Sequence, residues 1–162
     1  MRGEFHMKKA IFIVLALVFA LGLAACGGGT GAFKEVDLTK VMTAIQEQVK
    51  PQEMMELQEG NLMDYYGIDP VDVKQFAASI SETGLKASEI VMMEAVDADA
   101  AARIKEKLEG RLQQLINSFN NYLPEEYAIA KDCKVESYGN YVTLFVSDKA
   151  DRMKEIFESY IE

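Results

Sequence analysis

Tryptophan is absent from this sequence and histidine nearly so, the single one being His6. Without imidazole beyond that point, no Ser-His-Asp or Cys-His nucleophile and no histidine-ligated zinc site can be assembled. A serine nucleophile served by lysine would carry the spacing Ser-x-x-Lys. None of Ser79, Ser81, Ser88, Ser118, Ser137, Ser147 or Ser159 has lysine three residues on. Cysteine is confined to Cys26 and Cys133, too few for a disulfide framework, so stability must come from packing. Cys133 is expected as a small buried apolar residue; the alternative is a reactive thiol or an intermolecular disulfide, seen as a reductant-sensitive dimer. No dinucleotide fingerprint is present. Asp97 and Asp99 open something like a calcium loop but lack its glycine and distal glutamate, and no Lys-Ser or Lys-Thr follows the glycines at 27–31. No cofactor and no metal are therefore expected. Basic residues are also scarce, 17 against 26 acidic, a formal net charge of −9. Such a surface repels nucleic acid phosphates and anionic lipid headgroups.

What is present begins with a stretch from Met7 to Cys26. Lys8 and Lys9 form a basic head, Ala10 to Leu23 an uncharged apolar core, and Leu23-Ala24-Ala25-Cys26 a small-residue close. These are the three parts of a secretory signal peptide. The closing tetrapeptide resembles the lipobox of bacterial lipoproteins, which implies a diacylglyceryl group on the Cys26 sulfur and cleavage just before it. Two acyl chains, at about 0.8 kcal/mol per buried CH2, hold a protein stably where one does not. The alternative is an uncleaved membrane helix, since no charge occurs from Ala10 to Phe33. The glycines after Cys26 make a poor helix end in lipid, and either reading puts the C-terminal part outside the cytoplasm. Glu4 and Phe5 interrupt the basic head, so Met7 is the expected start. The organisation is then a signal peptide over 1–25, a lipidated cysteine and flexible linker over 26–35, and one folded domain over 36–162. Removing 1–25 leaves 137 residues with 14 basic and 25 acidic side chains, a net charge of −11. The expected location is the extracytoplasmic face of the cell membrane, with the membrane as partner through the lipid.

Along the domain, Asp37 can cap a helix over Leu38 to Val49, where Leu38, Val41, Met42, Ile45 and Val49 recur at helical spacing and Pro51 closes it. A short helical turn over Gln58 to Tyr66 leads into the turn formers Gly67 and Asp69-Pro70. Two strands follow, Val73 to Ile80 and Ser88 to Val96; the first sets Val73, Gln75, Ala77 and Ser79 against Lys74, Phe76, Ala78 and Ile80. Ile90 to Met93 is apolar throughout, as in a central strand covered on both faces. The longest helix, Ala98 to Tyr122, carries a stripe of Ile104, Leu108, Leu112, Leu115, Ile116, Phe119 and Leu123, is capped by Asp97, and ends at Pro124. After a connection through Tyr127 to Asp132, strands Lys134 to Tyr138 and Tyr141 to Ser147 flank Gly139-Asn140, and a helix over Asp148 to Ile161 closes the chain. The fold class is α+β: a small antiparallel sheet of about four strands packed by a long central helix and a C-terminal helix.

The order of the Leu-Ala-Ala-Cys site, Tyr66-Gly67-Ile68-Asp69, Ala87-Ser88-Glu89-Ile90, Tyr122-Leu123-Pro124-Glu125-Glu126-Tyr127 and Gly139-Asn140-Tyr141-Val142 before Ser147-Asp148 resembles the bacterial lipoproteins catalogued as domain of unknown function 4358. The resemblance implies location and fold, in a family common among Gram-positive anaerobes, and transfers no catalytic residue.

The expected function is a non-catalytic binding or interaction module for a protein or cell-envelope partner, with Tyr65, Tyr66, Tyr138 and Tyr141 near turns as candidate recognition residues. The competing reading of each tyrosine is a ring at the core edge with its hydroxyl in water. A small-ligand capture protein for a transporter is the first alternative. The second is a carboxylate-based hydrolase drawing on Glu125 and Glu126, or on Asp64, Asp69 and Asp72.

Overall fold

A computed structural model describes residues 33–162. The expected signal peptide, the Cys26 lipidation site and the linker up to residue 32 lie outside the described residues. Helix α1, Leu38–Val49, starts where the Asp37 side chain accepts from the Thr39 N–H. A three-residue strand β1, Met54–Glu56, precedes the short helix α2, Asn61–Tyr66, whose end is turned by Gly67 at φ 65°. A single 3-10 turn, Pro70–Asp72, leads into β2, Val73–Ser81, and then β3, Glu89–Ala95. The long helix α3, Ala98–Phe119, is capped by Asp97, whose carboxylate accepts from the Ala100 N–H at 2.8 Å. Helix α4, Pro124–Asp132, strands β4, Val135–Tyr138, and β5, Tyr141–Val146, and helix α5, Ala150–Ile161, complete the chain.

The five strands form one antiparallel sheet in the order β1-β2-β3-β5-β4. Central β3 is buried along its whole length because both faces are covered. Val91 and Met93 join Val142, Leu144 and Val146 of β5 in a core with Ile104, Leu108 and Leu112 of α3, Leu62 of α2 and Ala130 of α4. Ile90 and Met92 join Tyr141 and Phe145 in a second core with Leu38, Val41 and Ile45 of α1 and Met153, Ile156 and Phe157 of α5. Alternation along β3 and β5 thus feeds two helical layers from one sheet. The expected sheet with a long helix and a C-terminal helix is present, the two helices lying on opposite faces.

Three details depart from the sequence reading. Strand β1 adds a fifth strand. The expected connection from Tyr127 to Asp132 is the body of α4: Pro124 sits in its first turn, where the missing N–H costs nothing, so it starts one helix just after α3 has ended. In β2 the pairing slips between Val73 and Gln75, two steps on β2 against the single step from Ala95 to Glu94 on β3. That bulge moves Val73 onto the α3 face, away from Gln75 and Ala77, and lets Lys74 and Gln75 reach the same carboxylate.

The start of the described chain is fastened to one end of the sheet. Phe33 packs edge-on against Tyr138, with ring centroids 6.0 Å apart, and lies 3.2 Å from where a Cβ at Gly139 would stand. With Gly139 also at φ 60°, a side chain there would be strained and would press on the Phe33 ring. The Lys34 N–H donates to Ile161 O at 2.8 Å, and Gln75 Nε2 donates to Val36 O at 2.7 Å. Residues 33–35, assigned to the linker from sequence, are thus part of the packed structure.

Candidate functional site

At the other end of the strands, where α1 runs out, β3 begins and β5 stops, a cleft of about 260 Å³ opens. Its walls come from the α1 end (Val49 to Met54), Lys86 and Ser88 ahead of β3, Glu126 and Ile129 of α4, and Ser147 to Lys149 before α5. Two wall residues, Lys50 and Glu53, hold left-handed backbone at φ 54° without being glycine. Such conformations cost about 1 kcal/mol or more each and persist where surrounding structure imposes them, often at sites of recognition. Lys50 caps α1, its N–H donating to Gln46 O at 3.1 Å, and turns the chain out along the cleft rim. Lysines 50, 86 and 149 and acids Glu53, Glu126 and Asp148 line the walls around an apolar floor of Ile90, Val146 and Met153; Lys86 and Glu126 hold each other, so Lys50, Lys149, Glu53 and Asp148 offer both signs of charge.

Glu126 is the anchor of one wall. Though only 5 % exposed, it has donors for both oxygens: Lys86 Nζ on Oε1 and the Ala87 N–H on Oε2, each at 2.8 Å. The hydrogen bond to this carboxylate, with its negative charge, raises the Lys86 pKa above its usual value. A buried carboxylate so satisfied is a brace from α4 to the β2-β3 connection, and Glu125 beside it is exposed.

Two other acids are buried on β3. Glu94 receives Lys74 Nζ at 2.8 Å and Gln75 Nε2 at 2.5 Å, and Lys74 also holds Glu35 at 2.7 Å, so this cluster fastens the incoming segment. Glu89 takes both Nε and a terminal nitrogen of Arg111 on the same oxygen, while its Oε2 and the Tyr66 hydroxyl have no partner among the described residues. Burial pushes the Glu89 carboxyl above the ordinary range and the Tyr66 phenol far up, with Arg111 opposing both.

The tyrosines singled out from sequence do not converge. Tyr66 is buried in the α3-side core with Tyr65 half-buried beside it, their centroids 6.4 Å apart. Tyr141 is buried and Tyr138 half-buried against Phe157 in the opposite core. The Tyr138 hydroxyl lies 2.8 Å from both Glu136 and Glu158, and Tyr141 Oη accepts from the Val36 N–H at 3.3 Å. Asp69 caps the 3-10 turn through the Val71 N–H, Asp72 takes two hydrogen bonds from Arg103, and Asp64 is an exposed residue of α2. Cys133 is half-buried, its thiol donating to Ile129 O at 3.1 Å, and burial pushes its pKa up, which disfavours the nucleophilic thiolate. Sequence reasoning missed the cleft lysines and Glu53; the one local signal was Lys50-Pro51 closing α1.

Among the described residues no group of three or more His, Cys, Asp or Glu is placed to hold a metal ion, and no helix is long and apolar enough to cross a membrane. The class defined by these features is an α+β domain with a five-stranded antiparallel sheet between two helical layers and an open cleft at one end. The chain belongs to the family described as Domain of unknown function (DUF4358), whose profile matches residues 35–147. No curated protein and no solved structure matches it.

Proposed function

We propose that this protein is a lipoprotein anchored through Cys26 to the extracytoplasmic face of the membrane, and that its domain is a non-catalytic binding module whose recognition site is the cleft between Lys50, Glu53, Lys86 and Lys149. The observation that carries this reading is the polarity of the domain. The chain enters at Phe33 beside Gly139, by the Ala95 end of β3, whereas the cleft opens at the Glu89 end. Seven residues of strand separate the two by about 20 Å. A tether leaving from the first end presents the second to whatever lies beyond the membrane surface. The brace at Glu126 keeps one wall rigid, and the exposed loop at 50–53 supplies the contact.

A photoreactive amino acid placed at Glu53 or, as control, at Val96 near the opposite end tests this in intact cells. A discrete adduct from position 53 and none from position 96 supports the reading; equal labelling from both positions sinks it. A small-ligand reading is favoured by the cleft volume together with Lys50, Lys149, Glu53 and Asp148 in its lining, charges of both signs suited to a zwitterion. A thermal-shift screen of metals, sugars and peptides with no stabilising hit removes it.

A further inference from the structure

The sheet is closed unevenly along β2. Strand β1 pairs only Met54, Met55 and Glu56 with Ser81, Ile80 and Ser79, and its last bond to the sheet runs from the Leu57 N–H to Ala78 O at 2.9 Å. The chain then turns away, the Gln58 N–H bonding the Asn61 side chain instead. Because Ala78 turns its carbonyl toward β1, Phe76 two residues earlier presents its N–H and C=O to the same side. Among the described residues no strand or loop backbone reaches them. An unpaired stretch of this kind is a template for another strand.

The space beside it has the shape such a strand requires. A cavity of about 300 Å³ lies toward the α2 side, lined by Glu59, Leu62, Pro70, Val73 and Phe76. A second of about 250 Å³ lies toward the α1 side, lined by Thr39, Met42, Glu56, Leu57 and Ala77. Phe76 borders both. Successive side chains of an added strand point to opposite faces, so they would enter the two cavities in turn. Leu62, Pro70, Val73 and Phe76 give the first cavity an apolar side, Thr39, Glu56 and Gln58 make the second more polar, and the acids Glu56 and Glu59 stand exposed at the rims. The one lysine there, Lys74, is already held between Glu35 and Glu94. A second copy of this chain, itself at net charge −9, is a poor match for that rim.

We propose that the open edge of β2 at Phe76 binds an extended segment of a partner protein with alternating apolar and basic residues, added to the sheet as a sixth strand. Main-chain hydrogen bonds to Phe76 supply the hold, the two cavities take alternate side chains, and Glu56 and Glu59 select positive charge. This surface is separate from the cleft at the Glu89 end, so either can fail alone.

The probe is the blocked heptapeptide Lys-Val-Lys-Val-Lys-Val-Lys, titrated into the 15N-labelled full chain in detergent micelles. Amide shifts confined to residues 54–58 and 73–78 are expected. The peptide N-methylated at every second residue, in the phase that faces the edge, should lose binding at least tenfold, as should the Glu-Val analogue. The double variant E56K/E59K, altered only at exposed positions, should weaken the parent peptide by at least tenfold. The proposal is overturned if no shifts occur at 73–78, or if both N-methylated phases bind like the parent. Concentration-dependent self-association through these same amides would also overturn it, by making the occupant a second copy.

Discussion

Arg111 and Glu89 form the pair on which single substitutions should act most strongly. Glu89 is 2 % exposed and shares one oxygen with two guanidinium nitrogens, leaving the other oxygen without a partner among the described residues. Removing one member of a buried ion pair leaves an uncompensated charge, whereas removing both often costs little. R111M should therefore lower unfolding free energy by about 3 kcal/mol, and E89Q/R111M should recover more than half of that loss in urea titrations. Glu136 is a different case. Burial opposes its charge, but hydrogen bonds from Lys154, Tyr138 and Lys134 prevail and hold its carboxyl at about 2. A carboxyl whose folded value lies below its unfolded one contributes stability above the unfolded value, and this is lost as pH falls toward the folded one. E136Q should thus be less stable than the wild type by about 2 kcal/mol at pH 7, after allowance for water around the lysines, and the gap should close between about pH 4.5 and 2.

At the scale of elements, the end of α1 carries a strained cap. Lys50 occupies the left-handed position that glycine fills without a Cβ penalty, at the rim of the cleft. K50G should raise stability by about 0.5 kcal/mol, the relief of strain exceeding the entropy glycine adds to the unfolded chain. If adduct formation from position 53 weakens in K50G but not in K50N, which keeps a side chain suited to the left-handed turn, recognition uses the held turn rather than the lysine charge; weakening in both assigns it to the Lys50 side chain. The elements that were legible in sequence share one property, a strong local period. Alternation of Val142, Leu144 and Val146 with Tyr141 and Phe145 divides β5 between the two cores, and the α3 stripe of Ile104, Leu108, Leu112, Leu115 and Phe119 lies in one of them. Strand β1 was not legible because Met54-Met55-Glu56 is too short to show alternation, and α4 was hidden because Pro124 reads equally as an end and a beginning. The bulge at Lys74 has no local signature: the carboxylate that its two neighbouring side chains reach belongs to Glu94, 20 residues on. The cleft, built from five separate segments, and the burial of Glu89, Glu94 and Glu126 are likewise products of tertiary partners.

For the whole molecule, the fastening of residues 33–36 separates anchorage from folding. The incoming segment is tied to the C-terminus through Lys34 and Ile161, to β2 through Gln75, and to β5 through the Tyr141 hydroxyl. A pull from the proposed lipid on Cys26 would therefore be taken up at the Gly139 end of the sheet, away from the cleft. The wild type should enter the detergent phase of a Triton X-114 partition, and cells fed a labelled fatty acid should mark the wild type and not C26S. The melting temperature of C26S should match that of the wild type, and a photoreactive residue at position 53 should still find its target when the partner is supplied in solution. Wild type recovered in the aqueous phase removes the anchor, while a C26S protein that melts early would show that the segment before Phe33 contributes to the fold after all.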